Sequence, residues 1–279
     1  MTQYQENNAY SQPLISIITV VYNALEDLQL TVQSVITQAY WPNFEYIIVD
    51  GASTDGTLEY LQSLPSTILY ISESDSGIYD AMNKGLKLAK GKTTLMLNAG
   101  DTLTNDAIQN VINFAHESNL DLASVIIYGD AIRKFGENEV FWPADLDGLK
   151  RGMTICHQAS YIGRNIHKQF GNYSTDLKLA SDYELFLRIY KSDQTLFRHL
   201  SMPLAKFKYE GSSSSQYKTS YSESLRIAKM NLTQLEFVRF YFGQLKSKLL
   251  RLIETVINRL WLGHQKPDLA YWLYKWRSR

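Results

Sequence analysis

Four short apolar runs within roughly the first 100 residues, each ending in oxygen-bearing side chains, constrain this chain more than any other feature. The first, Leu14–Tyr22 (LISIITVVY), is β-branched and almost wholly apolar, the pattern of a strand buried on both faces of a parallel sheet. After Asn23 and Ala24, the stretch Leu25–Gln38 sets Leu28, Val32, Val35 and Ile36 at helical spacing. A second strand is predicted at Tyr46–Asp50, with Ser53, Thr54 and Asp55 offered as N-caps for a helix through Leu58 and Leu61. A third strand fits Thr67–Ser72, followed by a helix from Ile78 to Lys90 that Gly91 closes, and a fourth fits Thr93–Leu97. Strand and helix alternating in this way predict an α/β fold with a mostly parallel, doubly wound central sheet flanked by helices.

The polar residues recur where these strands end: Thr19 and Asn23, Asp50, Glu73 and Asp75, then Asn98 and Asp101. Carboxyl ends of parallel strands share one edge, so these groups are expected to converge on a ligand there. The segment TTLMLNAGD, Thr93–Asp101, delivers an amide and a carboxylate on a tight glycine turn. Such a pair can hold a hard divalent cation and the phosphates it bridges; the alternative is an Asx-type turn with only local meaning. Neither GxGxxG nor a Walker A loop is present, so no dinucleotide site or P-loop is indicated.

The second half has another texture. Asp106–Glu117 is amphipathic, Val125–Tyr128 reads as a short strand, and Phe135–Arg151 mixes Gly, Pro and charge like an excursion on the surface. A helix is predicted from near Ser181, with Asp182 in its first turn, where the macrodipole stabilises a carboxylate. Gly211–Ser215 (GSSSS) reads as a flexible loop. From about Ser222 the chain is helical, and beyond Phe237 it becomes basic and aromatic, with Arg239, Lys246, Lys248, Arg251 and Arg259 among its cations and Trp261, Trp272 and Trp276 among its rings. That composition favours a helical region lying on an anionic membrane surface over one packed on the protein with a solvated basic face. No run reaches the roughly 18 apolar residues that span a bilayer, so membrane contact is expected to be peripheral. Charge is balanced overall, which gives no bulk case for nucleic-acid binding. The single cysteine, Cys156, and an N-terminus without a basic-then-apolar leader fit a reducing, cytoplasmic setting.

These stretches resemble the family 2 glycosyltransferases with the GT-A fold, specifically bacterial enzymes that assemble surface polysaccharides. The matching residues are ISIITVVYNA, IIVDGASTDGT, DSGIYDAMNKGLKLAKG, LMLNAGD, ICHQASY and ASDYELFLR, in the family's order across residues 13–215. The resemblance implies a Rossmann-like sheet in a 13–215 domain, with a nucleotide-binding half at 13–105 and an acceptor half at 106–215. Residues 1–12 are then a flexible tail, and 216–279 a C-terminal helical extension. Thr19, Asn23 and Tyr22 would lie against the nucleotide base, and Asp50 would accept a hydrogen bond from the uracil imide. Ser53 and Asp55 are assigned to helix capping instead. Asp80, Asn83 and Lys84 would flank the sugar-diphosphate, with Asp80 a candidate for donor-sugar recognition. NAGD occupies the place of the acidic metal motif with Asn98 and Gly100 in acidic positions. Asp101 would then be the ligand of Mn²⁺ or Mg²⁺, and Asn98 a ribose contact or a support to the metal's ligands. Asp182 would be the catalytic base. His157 would touch the diphosphate or the acceptor, with a satisfied structural histidine as the alternative.

The expected activity is inverting transfer from a nucleotide-sugar, UDP-linked by preference, to a hydroxyl of a lipid-linked or oligosaccharide acceptor for O-antigen, capsule or exopolysaccharide. It would take place on the inner face of the cell membrane. Two alternatives stand beside it. A sugar-phosphate nucleotidyltransferase would place a Gly-rich, Arg/Lys-bearing loop after the first strand, where this chain has VVYNALED. A catalytically silent nucleotide-binding partner subunit would explain the reduced acidic motif but not the intact SDYEL.

Overall fold

The computed structural model describes residues 12–38, 43–208 and 216–260. The parallel pattern read from the apolar runs is present in strands β1 (Ile15–Val21), β2 (Phe44–Asp50), β3 (Ile68–Ser72) and β4 (Thr93–Met96). They pair in the order β3-β2-β1-β4, each parallel to its neighbour. Helices α1 (Leu25–Ile36), α2 (Thr57–Ser63) and α3 (Ile78–Leu88) connect them. Every residue of β1 is buried, and alternation assigns them to two cores. Ile15, Ile17 and Val21 pack with Leu28, Val32 and Val35 of α1, whereas Ile18 and Val20 pack with Tyr79 and Met82 of α3.

Beyond β4 the sheet becomes mixed. A two-residue strand β5 (Thr102–Leu103) and helix α4 (Ala107–Glu117) lead to the long β6 (Ile126–Phe135) and its hairpin partner β7 (Asn138–Trp142). Strand β8 (Ser160–Gly163) lies antiparallel to both β4 and β6, and β9 (Phe197–Lys208) runs parallel to β6 and antiparallel to β5. Helices α5 (Arg164–Phe170) and α6 (Ser181–Ser192) bury Ile166, Leu185, Phe186 and Ile189 in the α3 core. The C-terminal extension is α7 (Tyr217–Asn231) followed by α8 (Gln234–Leu260), anchored to the same core by Ile227, Ala228 and Phe240.

Some expectations are refined. Phe135–Arg151 lies on the surface as expected, with no residue of 136–147 buried, but it is ordered: it contains β7, paired along β6, and its 3₁₀ turn Asp147–Arg151 buries Leu149 completely. The strand predicted at Val125–Tyr128 runs on to Phe135. Gly56, at φ 94°, is the N-cap residue of α2; the Asp55 carboxylate accepts from the Thr57 N–H at 3.2 Å in the first turn, in line with the capping expected of it, whereas the Ser53 hydroxyl bonds Asp50 and the Asn23 N–H instead. The tail up to residue 11, the Gly211–Ser215 loop and the tryptophans Trp261, Trp272 and Trp276 lie outside the described residues.

A bulge sets the outer wall. The β6/β9 register shifts on either side of Asp130, and Leu204 lies so close to Gly129 that an added Cβ would stand 2.5 Å from its Cγ. After the bulge, Ala131–Lys134 pair with both β7 and β9, extending the sheet past the ends of β1 and β4. Close approach is required on the other side too, where α3 rests on β1 and β2 through Gly85. A Cβ there would stand 2.4 Å from Ile18 Cγ2 and 3.4 Å from Val49 Cγ2. Gly85→Ala should therefore lower stability by about 1–3 kcal/mol through overpacking, despite alanine's better helix propensity. A denaturant midpoint equal to or above that of the parent protein would contradict this packing.

Candidate active site

The strand order turns back between β1 and β4, and a cleft of about 950 Å³ opens at their carboxyl ends. Val20, Val21 and Tyr22 from the end of β1 line it together with Asn98–Asp101 from the end of β4. Across from them stand Tyr79 of α3, Cys156–Gln158, Asp182 of α6, and Tyr217 and Tyr221 of α7. Of the residues expected at the site, Tyr22, Asn98, Asp101, His157 and Asp182 reach this cleft. Tyr22 presents its ring, being 65% exposed.

Thr19, Asn23, Asp50, Asp80 and Lys84 are not among the lining residues. Thr19 is fully buried, its hydroxyl 3.0 Å from that of Tyr46. Asp50 is also fully buried, accepting from the Ser53 backbone and hydroxyl and from the Ser72 hydroxyl at 2.6 Å. Asn23, at φ 47°, accepts from the Thr54 backbone at 2.8 Å and donates its own N–H to the Ser53 hydroxyl at 2.8 Å. Asp55 accepts from the Leu25 N–H at 3.0 Å, supplying a partner to the uncapped start of α1. This lattice fixes the loops after β1 and β2 against each other. Asp80 accepts from the Ser76 N–H at 3.0 Å, and Lys84 donates to the Ser74 carbonyl at 2.7 Å and pairs with Glu73 at 2.9 Å, so both hold the loop that precedes α3.

The two carboxylates that reach the cleft from β4 and α6 sit in different surroundings. Asp182 accepts from the Tyr79 hydroxyl at 3.1 Å and from the Tyr183 N–H at 2.8 Å. Both bonds end on Oδ1, which leaves Oδ2 for another donor. Asp101 is buried, and that burial pushes its carboxyl up to about 7. Donation from Gln158 Nε2 at 3.0 Å and from the Lys208 backbone N–H opposes the rise, and the neighbouring Asp27 adds to it. His157 is buried with Nε2 2.7 Å from the Tyr173 hydroxyl, and burial lowers its pKa, which keeps it neutral at pH 7. Burial pushes the Cys156 thiol up to about 12, so it is protonated at neutral pH.

Residues 16–168 match the family description Glycosyl transferase family 2. A PGL/p-HBAD biosynthesis glycosyltransferase of Mycobacterium bovis (strain BCG / Pasteur 1173P2) is 30% identical over 204 residues, 71% of this chain and 78% of that protein. The chain belongs to glycosyl transferase family 2. Among solved structures, S. aureus TarS 1-349 in complex with UDP-GlcNAc aligns with TM-score 0.66 and 17% identity, covering 83% of this chain and 72% of that one. The mannosyltransferase PcManGT from Pyrobaculum calidifontis, in complex with GDP-Man and Mn²⁺, gives TM-score 0.58 and 16% identity, with 96% and 80% covered. The fold is therefore that of the GT-A glycosyltransferases, as the motifs implied.

Several lining residues of this family 2 enzyme escaped sequence reading. Asp27, in the first turn of α1, stands over the Gly100 turn, where an added Cβ would lie 3.2 Å from its Cγ; its carboxylate accepts from Lys208. Asp75 flanks Gly51 together with Tyr22, its Oδ2 2.6 Å from a Cβ added there. Gln158 bonds Asp101, and Tyr79 bonds Asp182. Asp75 was noted as a strand-end carboxylate, but nothing in the sequence set it above Asp50. Asp27 carried no signal beyond a carboxylate near a helix start.

The oxygen donors beside Asp101 suit a hard divalent cation. Asn98 Oδ1 is buried without a hydrogen-bond partner, and Asp27 is a second carboxylate on the same side of the cleft. No group of three or more His, Cys, Asp or Glu suited to a metal occurs among the described residues, so much of the coordination would fall to phosphates and water. For the metal-free protein the sign of the Asp101 effect is definite. A carboxyl whose folded pKa is raised contributes stability that is whole below its ordinary value of 3.8 and is lost as pH rises through about 7. Melting temperatures taken in chelator should therefore fall between about pH 5 and 8 with a component that Asp101→Asn removes. An unchanged pH slope in that variant would show that the carboxyl is not perturbed.

Proposed function

We propose that this family 2 glycosyltransferase transfers a sugar with inversion from a UDP-sugar to a hydroxyl of a lipid-linked or oligosaccharide acceptor in bacterial surface-polysaccharide assembly. The observation that carries the reading is the placing of Asp182, from α6, in the same cleft as Asp101, from the end of β4. One displacement needs a base on the acceptor side and charge compensation on the leaving side. Asp182 Oδ2 accepts the proton of the attacking hydroxyl, and the Tyr79 hydroxyl, held on Oδ1, fixes the carboxylate's orientation. Burial keeps the Tyr79 phenol well above its ordinary range, so it remains a donor throughout.

Asp101, with Asn98 and Asp27 beside it, would hold Mn²⁺ or Mg²⁺, which when bound neutralises charge on the departing diphosphate. Tyr22 offers a stacking face to the base. Asp75, on the cleft beside it, is better placed for the imide than Asp50, which supports the loop from beneath. His157 shapes the wall through Tyr173. Residues 13–105 would serve the nucleotide and 106–215 the acceptor, and 216–279 would contact the membrane. UDP-GlcNAc, named with TarS, and GDP-Man, named with PcManGT, support a nucleotide-sugar donor, the former alone a UDP-linked one, and the biosynthetic role in the mycobacterial protein's name supports glycan assembly.

Asp182→Asn should reduce UDP release from a UDP-sugar in the presence of acceptor by about 10²-fold or more, with UDP affinity changed by less than about 3-fold. Near-normal turnover would remove Asp182 from the base role and with it the inverting reading.

Peripheral membrane contact is supported by the solvent face of α8. Leu235, Val238, Phe242, Leu245 and Leu249 are all exposed, and at 100° per residue they lie opposite the buried Phe240. Arg239 and Lys248 are exposed alongside. Among the described residues no helix is long and apolar enough to cross a membrane. An apolar stripe with flanking cations suits the surface of an anionic bilayer. The protein should co-sediment with phosphatidylglycerol-containing vesicles more than with pure phosphatidylcholine, and Phe242→Asp should lower that binding. Equal sedimentation of the parent protein and the variant would refute contact through this face.

A further inference from the structure

Part of the cleft wall comes from α7, outside the residues 16–168 that match the family. Tyr217, Ser220, Tyr221 and Ser224 all line the cleft. At 100° per residue they fall within an arc of about 100°, so they form one face of the helix. The centroids of the Tyr217 and Tyr221 rings are 5.8 Å apart, with the planes tilted by 36°. Burial holds the Tyr221 phenol above its ordinary range, and the Tyr241 and Tyr217 phenols add to the rise. Three tyrosines thus stand together, and Tyr241 continues by an edge contact at 6.4 Å to Phe242, on the apolar stripe of α8.

Two anchors hold this face beside Asp182. Glu223 accepts from the Lys178 N–H at 2.7 Å and the Leu179 N–H at 2.9 Å, in the loop that leads into α6. Lys178, Leu179 and Ala180 of that loop line the cleft themselves. On the other side of the tyrosines, Ile227 and Ala228 are buried in the α3 core.

A hydroxyl that gives its proton to Asp182 must come within hydrogen-bond reach of that carboxylate. The nucleotide would take the strand-end side, at Tyr22 and Asn98–Asp101, which leaves the body of the acceptor to the wall formed by the 178–180 loop and α7. That wall combines aromatic rings with hydroxyls. A pyranose ring has the complementary surface: an apolar C–H face to cover an aromatic ring, and hydroxyls that both donate and accept, as those of serine do. A hydrocarbon chain would match the rings but would desolvate the serine hydroxyls without offering them a partner.

We propose that the α7 face made by Tyr217, Ser220, Tyr221 and Ser224 is a subsite for a pyranose ring of the acceptor, the one that carries the attacking hydroxyl. This inference rests on Asp182 as the acceptor-side base, and it extends the acceptor wall beyond residues 106–215 into the C-terminal extension. The tyrosine run toward Phe242 sets the subsite between Asp182 and the α8 face proposed for the membrane, the order in which a lipid-linked acceptor presents its sugar and its lipid.

The test is saturation-transfer NMR on the full chain with UDP and Mn²⁺ present. The probes are the methyl pyranosides of glucose, galactose, mannose, rhamnose, N-acetylglucosamine and N-acetylgalactosamine, and those that respond are titrated. At least one should bind. Tyr221→Ala and Ser224→Ala should each weaken it by about threefold or more, and Tyr221→Phe, which keeps the ring, should stay nearer the parent than Tyr221→Ala does. UDP affinity should stay within about twofold in all three variants, because the nucleotide lies on the other side of the cleft. Neither Tyr221 nor Ser224 is fully buried, so the melting temperature should hold. A parent protein that binds no pyranoside would overturn the proposal, as would pyranoside affinity within about twofold of the parent in both alanine variants. A parallel loss of UDP affinity would give the wall to the donor instead, and saturation of an octyl polyethylene glycol ether but of no pyranoside would make it an alkyl site; either result also overturns the proposal. Failure of the base assignment would show separately, as normal turnover in Asp182→Asn.

Discussion

The full burial of β1 on both faces is the constraint from which the architecture follows. A strand with no solvent-facing side needs helices above and below; a polar side chain within it must find a partner there, as Ser16 does in Glu45 and Thr19 in Tyr46, and polar groups left for a ligand come from its ends. Here α1 covers one face and α3 the other, and the polar ends of β1, β2 and β4 meet at one edge. Crowding polar groups there has its own cost, because each must find a partner as the loops pack. Asn23, Ser53, Thr54, Asp50, Ser72 and Asp55 answer it by bonding one another and the loop backbones. Much of the conspicuous polarity at the strand ends thus stabilises the rim of the cleft, and a smaller set faces the ligand.

That division explains what the sequence could and could not reveal. The parallel half was legible because its strands are unbroken apolar runs and its helices keep their spacing. Strand β9 was not, since Pro203 and the bulge at Asp130 shift the phase of its partner and break the alternation of FRHLSMPLAKFK. Strand β5, two residues long, has no periodicity to detect. Among site residues, Thr19 shows the limit most clearly. It shares the face of Ile17 and Val21, which pack against α1, so its hydroxyl turns to Tyr46 in the core. Asp101 was legible as a strand-end carboxylate and Asp182 only through the resemblance of SDYEL to a family motif, and both line the cleft. Asp27 was hidden by an ordinary role near the start of α1. It is placed on the cleft by Thr31, whose hydroxyl accepts from the Gly100 N–H and donates to the Asp101 carbonyl, tying α1 to the turn after β4.

The titratable groups of the cleft can be ranked as bases by their surroundings. An acceptor hydroxyl needs a group that is free to accept a hydrogen bond on the cleft side at neutral pH. His157 is neutral, but its Nε2 is engaged with the Tyr173 hydroxyl, and its ring is enclosed by Tyr173 and Phe186. Asp101 is divided between its two forms near pH 7 and is already bonded by Gln158 and the Lys208 backbone. Anything that brings positive charge to that corner favours its ionised form. Asp182 differs in that both of its bonds converge on one oxygen, from a phenol that stays protonated and from the first turn of its own helix. Its second oxygen is thereby oriented without being occupied, the condition that a proton acceptor for an incoming hydroxyl has to meet.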